Sequence, residues 1–413
     1  MPLPTHTPRD FVRLFAARII RMFAYGFLAV ILVLHLKELG MTEARVGLLL
    51  SLTLIGDAAI SLTITTRADR AGRRRMLLLG AALMFLGGAG MAVLENFWLL
   101  LAAAVIGVLS PGGGEIGPFL AIEQAGLAEI IDDRDRTRVF AWSHVLGFTA
   151  SALGALAGGW LAACLQRRGW TPAGSYRALL WLYAGAGGLL FAIFSGLTPG
   201  VEAPEDGSAG RATIPETWHG LHESKGRVAR LSVLFTLDAF GGGFIVQSFV
   251  AYWFHRRFGV EIAAIGAILF GATLLSGLSA LAAVPLARRI GLLNTMVFTH
   301  LPSNVLLILV PLMPTLPWAV AVFLARHLIS QMDVPTRQSY VNAIVPPAER
   351  SVANGITTTI RQLGTALGPL AAGPLMSAPI LSGWCFVISG GLKAVYDLAI
   401  WRAFRHVKPP EER

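Results

Sequence analysis

The chain resolves into twelve apolar runs, near residues 11–36, 44–66, 75–95, 98–124, 137–163, 176–198, 228–254, 261–284, 291–313, 317–344, 351–376 and 381–404. Crossing about 30 Å of hydrocarbon takes a helix of about 20 residues, and each run is that long. Inside lipid every backbone N–H and C=O must find an internal partner, so such runs become helices. The expected fold class is an all-α membrane protein: twelve transmembrane helices in two six-helix bundles. Composition agrees. Hydrophobic residues make up 54% of the 413 and charged ones 14%, against about 25% charged in soluble domains. So few charges cannot cover several globular surfaces, and disorder, collagen and a disulfide scaffold are excluded as well.

The net charge of +10 sits in short clusters between the runs. That pattern encodes topology, not a nucleic-acid-binding face. One set of helix ends, which includes Arg67, Arg70, Arg73, Arg74, Arg75, Arg134, Arg136, Arg211, Arg288, Arg289, Lys408 and Arg413, carries about three basic residues for each one on the opposite set. Both termini are therefore expected in the cytoplasm, in the plasma membrane or a bacterial inner membrane. The short polar start and the interrupting Arg18 and Arg21 argue against a cleaved signal peptide. Cys164 and Cys385 fit no zinc or redox motif, so neither a metal nor a disulfide is expected.

The two halves repeat. Arg13-Leu14 and Gly26-Phe27 return as Arg230-Leu231 and Gly243-Phe244 at an offset of 217, and Gly40 and Gly47 return as Gly259 and Gly266 at 219. ALGALAGGWL (152–161) returns as ALGPLAAGPL (366–375), and Asp135-Arg136-Thr137 as Glu349-Arg350-Ser351, both at 214. The polar stretch 200–226 separates an N-terminal bundle (1–199) from a C-terminal one (227–413) as a cytoplasmic linker. Parallel repeats of this kind place a binding site near the bilayer midplane at the repeat interface.

After the second run comes Thr65-Thr66-Arg67-Ala68-Asp69-Arg70-Ala71-Gly72-Arg73-Arg74. It resembles the Gly-x-x-x-Asp-Arg-x-Gly-Arg-Arg loop of the major facilitator superfamily, with Thr65 in place of the first glycine. Ala287-Arg288-Arg289-Ile290-Gly291 is a weaker echo in the second half. The resemblance covers the whole chain. It implies that Asp69, Arg70, Gly72 and Arg73 form a gating loop that latches the halves in one state. The helix 4 arginine motif of drug–proton exchangers is absent, and the helix 5 glycine–proline motif has Ala155 where proline is expected. The sequence names no subgroup.

An ionised side chain at the midplane costs roughly 3 kcal/mol or more, so such residues face a cavity or each other. At 100° per residue, Arg326, Asp333 and Arg337 of helix 10 fall within about 40°, flanked by Ser330 and Tyr340. Pro335 is expected to kink that helix, and His327 lies off the stripe. Helix 1 groups Arg18, Arg21 and Tyr25; helix 4 carries Glu115 and Glu123; helix 7 carries Asp238; helix 11 carries Arg361. These are the candidate substrate or proton-coupling residues. Lys393 and Asp397, spaced i, i+4, read as an intrahelical ion pair. Asp57 reads as bonded to a backbone or hydroxyl group, and His144 as a satisfied core histidine. Arg21 aligns with Asp238 at offset 217, and Glu123 with Arg337 at 214. Charge is reversed at both places, which predicts two symmetry-related ion pairs, Arg21–Glu123 and Asp238–Arg337. Double charge reversal in one half should then be tolerated and single reversal should not.

The leading expectation is a secondary active transporter that moves a small molecule by alternating access, with proton-coupled efflux. The alternative is an organic-anion or phosphate-ester transporter (symport, exchange or uniport) with a cavity lined by Arg18, Arg21, Arg337 and Arg361. It fails where carboxylates neutralise those arginines. From another class comes a membrane receptor or sensor. No ATP-binding loop, nucleophile motif or HExxH cluster occurs in the sequence, so no cofactor and no enzyme activity are expected. The expected partners are a small-molecule substrate, protons and lipid, with no nucleic acid, and the chain is expected to act as a monomer.

Overall fold

The computed structural model describes residues 9–115, 117–202, 221, 223–346 and 349–407, without the side chains of 133–137, 351, 379 and 380. Most of the 200–226 linker lies outside the described residues. So do Arg211, Lys408, Arg413 and the side chains of the Asp135-Arg136-Thr137 repeat element. Among the described residues there is no strand.

The helices run α1 (Arg9–Glu38), α2 (Glu43–Ala71), α3 (Arg73–Val93), α4 (Phe97–Ile106), α5 (Phe119–Ile130), α6 (Asp133–Arg167) and α7 (Pro172–Ser195). The second series is α8 (Lys225–Gly243), α9 (Gln247–Phe258), α10 (Ile262–Ile290), α11 (Leu292–Leu309), α12 (Leu316–His327), α13 (Asp333–Ile344), α14 (Arg350–Ser377), α15 (Pro379–Ser382) and α16 (Trp384–Phe404). Among the described residues nine stretches are long and apolar enough to cross a membrane. The other three expected spans are α14, made more polar by Arg350, Asn354, Arg361 and its threonines, and two broken spans, α4/α5 and α12/α13.

The chain forms two compact units. One comprises Met1–Met41, Ile55–Ile214 and Glu261–Phe270; the other comprises Thr42–Leu54, Pro215–Val260 and Gly271–Arg413. The same packing plan recurs within each. In the first, α1 lies on α6 and α3 on α7; in the second, α8 lies on α14 and α11 on α16. The repeated pair Gly26 and Gly243 marks the α1–α6 and α8–α14 crossings. A methyl group on Gly26 would run into the Ser151 carbonyl, and one on Gly243 into the Thr365 carbonyl. Small residues let helix backbones touch, which is how helices gain packing energy where lipid removes the hydrophobic drive. Gly72 and Gly291, which precede α3 and α11, have φ of +97° and +86°. Only glycine adopts that conformation without strain, which accounts for the glycine of the loop motif in both halves.

Three spans differ from the continuous helices expected: α4/α5, α12/α13, and the seventh, where residues 244–246 separate α8 from α9. In the first, Ser110-Pro111-Gly112-Gly113-Gly114 follows α4, and positive φ at Val108, Gly113 and Gly117 unwinds the chain. Freed carbonyls are satisfied in place: Ser110 donates to Gly114 O at 2.9 Å and Ser151 to Gly113 O at 2.6 Å. In the second, residues 328–332 are turns, and the Gln331 N–H donates to Ser279 Oγ at 3.2 Å. Pro335 does not kink a continuous helix. It is the third residue of α13, in a first turn where a missing N–H costs nothing.

Candidate functional site

Each unit buries its own charge cluster. In the first, α1 presents Arg18 and Arg21, which are 4% and 0% exposed. Arg21 donates to both oxygens of Glu123, Nη1 to Oε1 at 2.5 Å and Nη2 to Oε2 at 2.8 Å, and also to Glu115 at 2.7 Å. This is the fork geometry that makes guanidinium–carboxylate pairs strong. Arg18 contacts the other Glu115 oxygen at 3.1 Å and His144 Nδ1 at 3.4 Å. Glu115 lies in the unwound segment, outside the α5 helix that carries Glu123. The break is what lets both carboxylates reach one arginine. Phe119 lies under the Arg21 guanidinium, 4.7 Å from carbon to ring centroid. Tyr25 is fully buried, and its hydroxyl makes no hydrogen bond among the described residues. Asp57 accepts from the Gly117 N–H at 3.2 Å, a backbone partner as expected.

In the second unit Asp238 of α8 is the hub. Lys393 reaches Oδ1 at 2.7 Å, Arg337 reaches Oδ2 at 3.3 Å, and Arg361 stands 3.9 Å from Oδ2. Arg337 also pairs with Asp333 one turn earlier at 2.9 Å, and its guanidinium lies 5.5 Å from the Phe235 ring centroid. Both ion pairs drawn from the repeat, Arg21–Glu123 and Asp238–Arg337, are therefore present, each extended by a second carboxylate.

Two expectations change. The intrahelical Lys393–Asp397 pair does not form. Lys393 turns to Asp238, and Asp397 accepts instead from Asn304 at 2.9 Å and bonds His300 Nδ1 at 2.8 Å. In a buried setting a partner on a neighbouring helix desolvates and satisfies both groups better than one on the same helix surface. His300 also stands 3.8 Å from Asp238 Oδ1. His300 and Asn304 were missed, although their i, i+4 spacing inside the apolar ninth run was a readable signal. The Arg326–Asp333–Arg337 stripe is interrupted as well. The break at 328–332 separates Arg326 from the other two, and its neighbour is His327, with Nη1 to Nε2 at 3.2 Å.

The loop residues hold the first unit together. Arg73 bonds Asp69 at 2.9 Å, Glu129 at 3.2 Å and the Val201 carbonyl at 3.2 Å. Glu202 accepts from the Arg73 and Arg74 N–H groups at 2.5 and 3.2 Å, a carboxylate on the N-terminus of α3 where the helix dipole favours it. Arg70 is exposed. Cys164 and Cys385 are free thiols.

A sequence model of the Major Facilitator Superfamily matches residues 14–369, and again 231–413. The membrane protein YJR124C of Saccharomyces cerevisiae is 30% identical over 419 residues, covering 95% of this chain and 93% of that one. The quinolone resistance protein NorA of Staphylococcus aureus is 26% identical over 157 residues, 38% of this chain and 39% of that protein. Among solved structures, an inward-facing, occupied bacterial homologue of the human lysosomal transporter Spinster superposes with a TM-score of 0.76 at 16% identity, covering 96% and 97% of the two chains.

Proposed function

Because the chain belongs to the Major Facilitator Superfamily of membrane transporters, we propose that it is a secondary active transporter that couples a small-molecule substrate to protons by alternating access. The observation that carries this reading is the pair of buried clusters at equivalent repeat positions. Arg21–Glu123 and Asp238–Arg337 are four charges held in an apolar interior, an expensive arrangement that membrane proteins keep for ion and substrate pathways. A proton on Glu123 would release Arg21 to another partner. A ligand or proton shifts a two-state equilibrium only through such differential contacts. Tyr25, whose buried hydroxyl makes no hydrogen bond among the described residues, is a further candidate contact for substrate. The outward direction is supported by the partial likeness to a quinolone resistance protein, since export is one way to give resistance. The Arg/Lys bias supports a plasma-membrane location with both termini cytoplasmic. The Asp69, Arg70, Gly72 and Arg73 loop would act as the gating element, supported by the ties of Arg73 to Glu129 of α5 and to Val201 and Glu202 beyond α7.

The test is reconstitution into proteoliposomes that trap a pH-sensitive dye. Compounds are added across a panel of cations, sugars and organic anions. The expected result is compound-induced proton movement that is lost in Glu123→Gln or Asp238→Asn. Flux of a labelled compound with no proton movement at any pH gradient would refute the coupling.

A further inference from the structure

Asp397 of α16 is fully buried, and among the described residues it pairs with no lysine or arginine. Its partners stand on α11. His300 Nδ1 lies 2.8 Å from Oδ1, and Asn304, one turn on, donates to Oδ2 at 2.9 Å. A bare Nδ1 would set its lone pair against the carboxylate oxygen, so Nδ1 carries a hydrogen and donates it. That bond fixes the ring, with the edge of Tyr396 beside it at a centroid distance of 6.1 Å. Nε2, on the other side of the ring, makes no hydrogen bond among the described residues and stands 3.8 Å from Asp238 Oδ1. That separation is too long for a hydrogen bond, and Lys393 already holds the same oxygen at 2.7 Å.

One proton decides the charge of this group. With Nδ1 alone protonated, the ring is neutral and Asp397 is a buried anion without a counter-charge, which is strongly destabilising. A second proton, on Nε2, makes the ring a cation and neutralises the pair. Histidine is the side chain that makes this change near neutral pH. The charged groups around the ring come from several helices. From α16 they are Asp397 and Lys393, and from α8 Asp238. From α13 come Asp333 and Arg337, paired with each other at 2.9 Å. From α14 comes Arg361, 3.9 Å from Asp238. On α12, Arg326 and His327 bond one another. The two carboxylates in ion-pair contact with the ring lie on opposite sides of it, one on each nitrogen.

We propose that His300 is the proton carrier of the C-terminal unit: Nε2 takes up and releases the coupled proton, and Asp397 and Asn304 are positioning residues that hold the ring. When Nε2 is protonated, Asp238 gains a second cation at Oδ1, and Lys393 is released. When Nε2 loses its proton, Lys393 again holds that oxygen alone. The N–H bond is the only one made or broken. The proton goes to the ring and not to Asp238, which has Lys393 on one oxygen and Arg337 on the other. This rests on the transporter reading above and names the residue that carries its proton.

The first test is nitrogen NMR of the purified full chain carrying ¹⁵N-labelled histidine, recorded against pH. His300 is the signal missing from His300→Gln or, should that variant not fold, the one displaced in Asp397→Asn. Its Nε2 resonance should make the large upfield step of a bare ring nitrogen gaining a proton between about pH 5 and pH 8, with Nδ1 protonated throughout. An Nε2 that stays unchanged over that range overturns the proposal. The second test uses proteoliposomes with a trapped pH dye and the same panel of compounds. His300→Gln, whose amide can still donate to Asp397, should keep compound exchange and lose compound-induced proton movement. Asp397→Asn should keep proton movement but shift its pH profile to lower pH, because the ring loses the carboxylate that favours its charged form. Proton movement with the wild-type pH profile in folded His300→Gln overturns the proposal. A ring that titrates in a protein that moves no compound upholds the proton site and sinks the transporter reading. Compound flux through a protein whose ring never titrates does the reverse.

Discussion

Arg21 and Glu123 invite a double-mutant cycle with neutral, apolar replacements. Glu123 is 2% exposed, and Arg21 is the one cation in ion-pair contact with it among the described residues. Arg21→Met therefore leaves a buried carboxylate without a counter-ion, a loss of about 3–5 kcal/mol for breaking a buried pair. A unit pair at 4 Å in an effective dielectric near 20 is worth about 4 kcal/mol, which is consistent. Glu123→Met is milder, about 3 kcal/mol at the low end of that range, because Arg21 keeps Glu115 at 2.7 Å. Removing both leaves Arg18–Glu115 intact and replaces one pair by apolar side chains, often close to neutral. The double variant should lose less than about 2 kcal/mol against about 6 kcal/mol or more for the two singles summed, a coupling energy of at least about 4 kcal/mol. The assay is equilibrium unfolding of purified protein in mixed micelles, followed by tryptophan fluorescence. A double variant as unstable as the sum of the two singles would falsify the pairing. The structure also alters the charge-reversal expectation: swapping Arg21 and Glu123 places a new carboxylate beside Glu115, so reversal in the first unit should fail unless Glu115 is changed too.

Gly26→Val should abolish folded protein, since a Cβ there meets the Ser151 carbonyl, whereas Gly185→Ala, with open space around it, should leave yield and midpoint unchanged; fluorescence size-exclusion profiles separate the two. Glu202→Gln weakens the carboxylate cap on α3 and should lower stability by about 1 kcal/mol in the same unfolding assay. Gly72→Ala, at φ +97°, should cost about 1–3 kcal/mol of backbone strain, and equal stability of wild type and variant would refute the strain argument. His300→Ala removes one of the two bonds to Asp397 and should destabilise by about 1–3 kcal/mol, with Asn304→Ala less than additive to it because the two residues share one carboxylate.

Much of the architecture was legible in one dimension. Twelve apolar runs state how often the chain crosses lipid, because the hydrocarbon thickness sets the helix length directly. The offsets of 217 and 214 are enough to pair Arg21 with Glu123 and Asp238 with Arg337, because a repeated fold puts equivalent positions in equivalent surroundings. The helical angle arguments failed where a helix stops. Angles accumulate only along unbroken turns, so Glu115 beyond Pro111 and its glycines, and Arg326 before the 328–332 break, could not be oriented from spacing. Lys393 choosing Asp238 over Asp397, and Asp397 choosing His300 and Asn304, are decisions between near and far partners. Local sequence counts only the near ones. The number of spans, the repeat and the charges inside the membrane were determined by the sequence. Which carboxylate or amide each buried charge takes was decided by tertiary packing, because pairing depends on distances across helices that no spacing along the chain encodes.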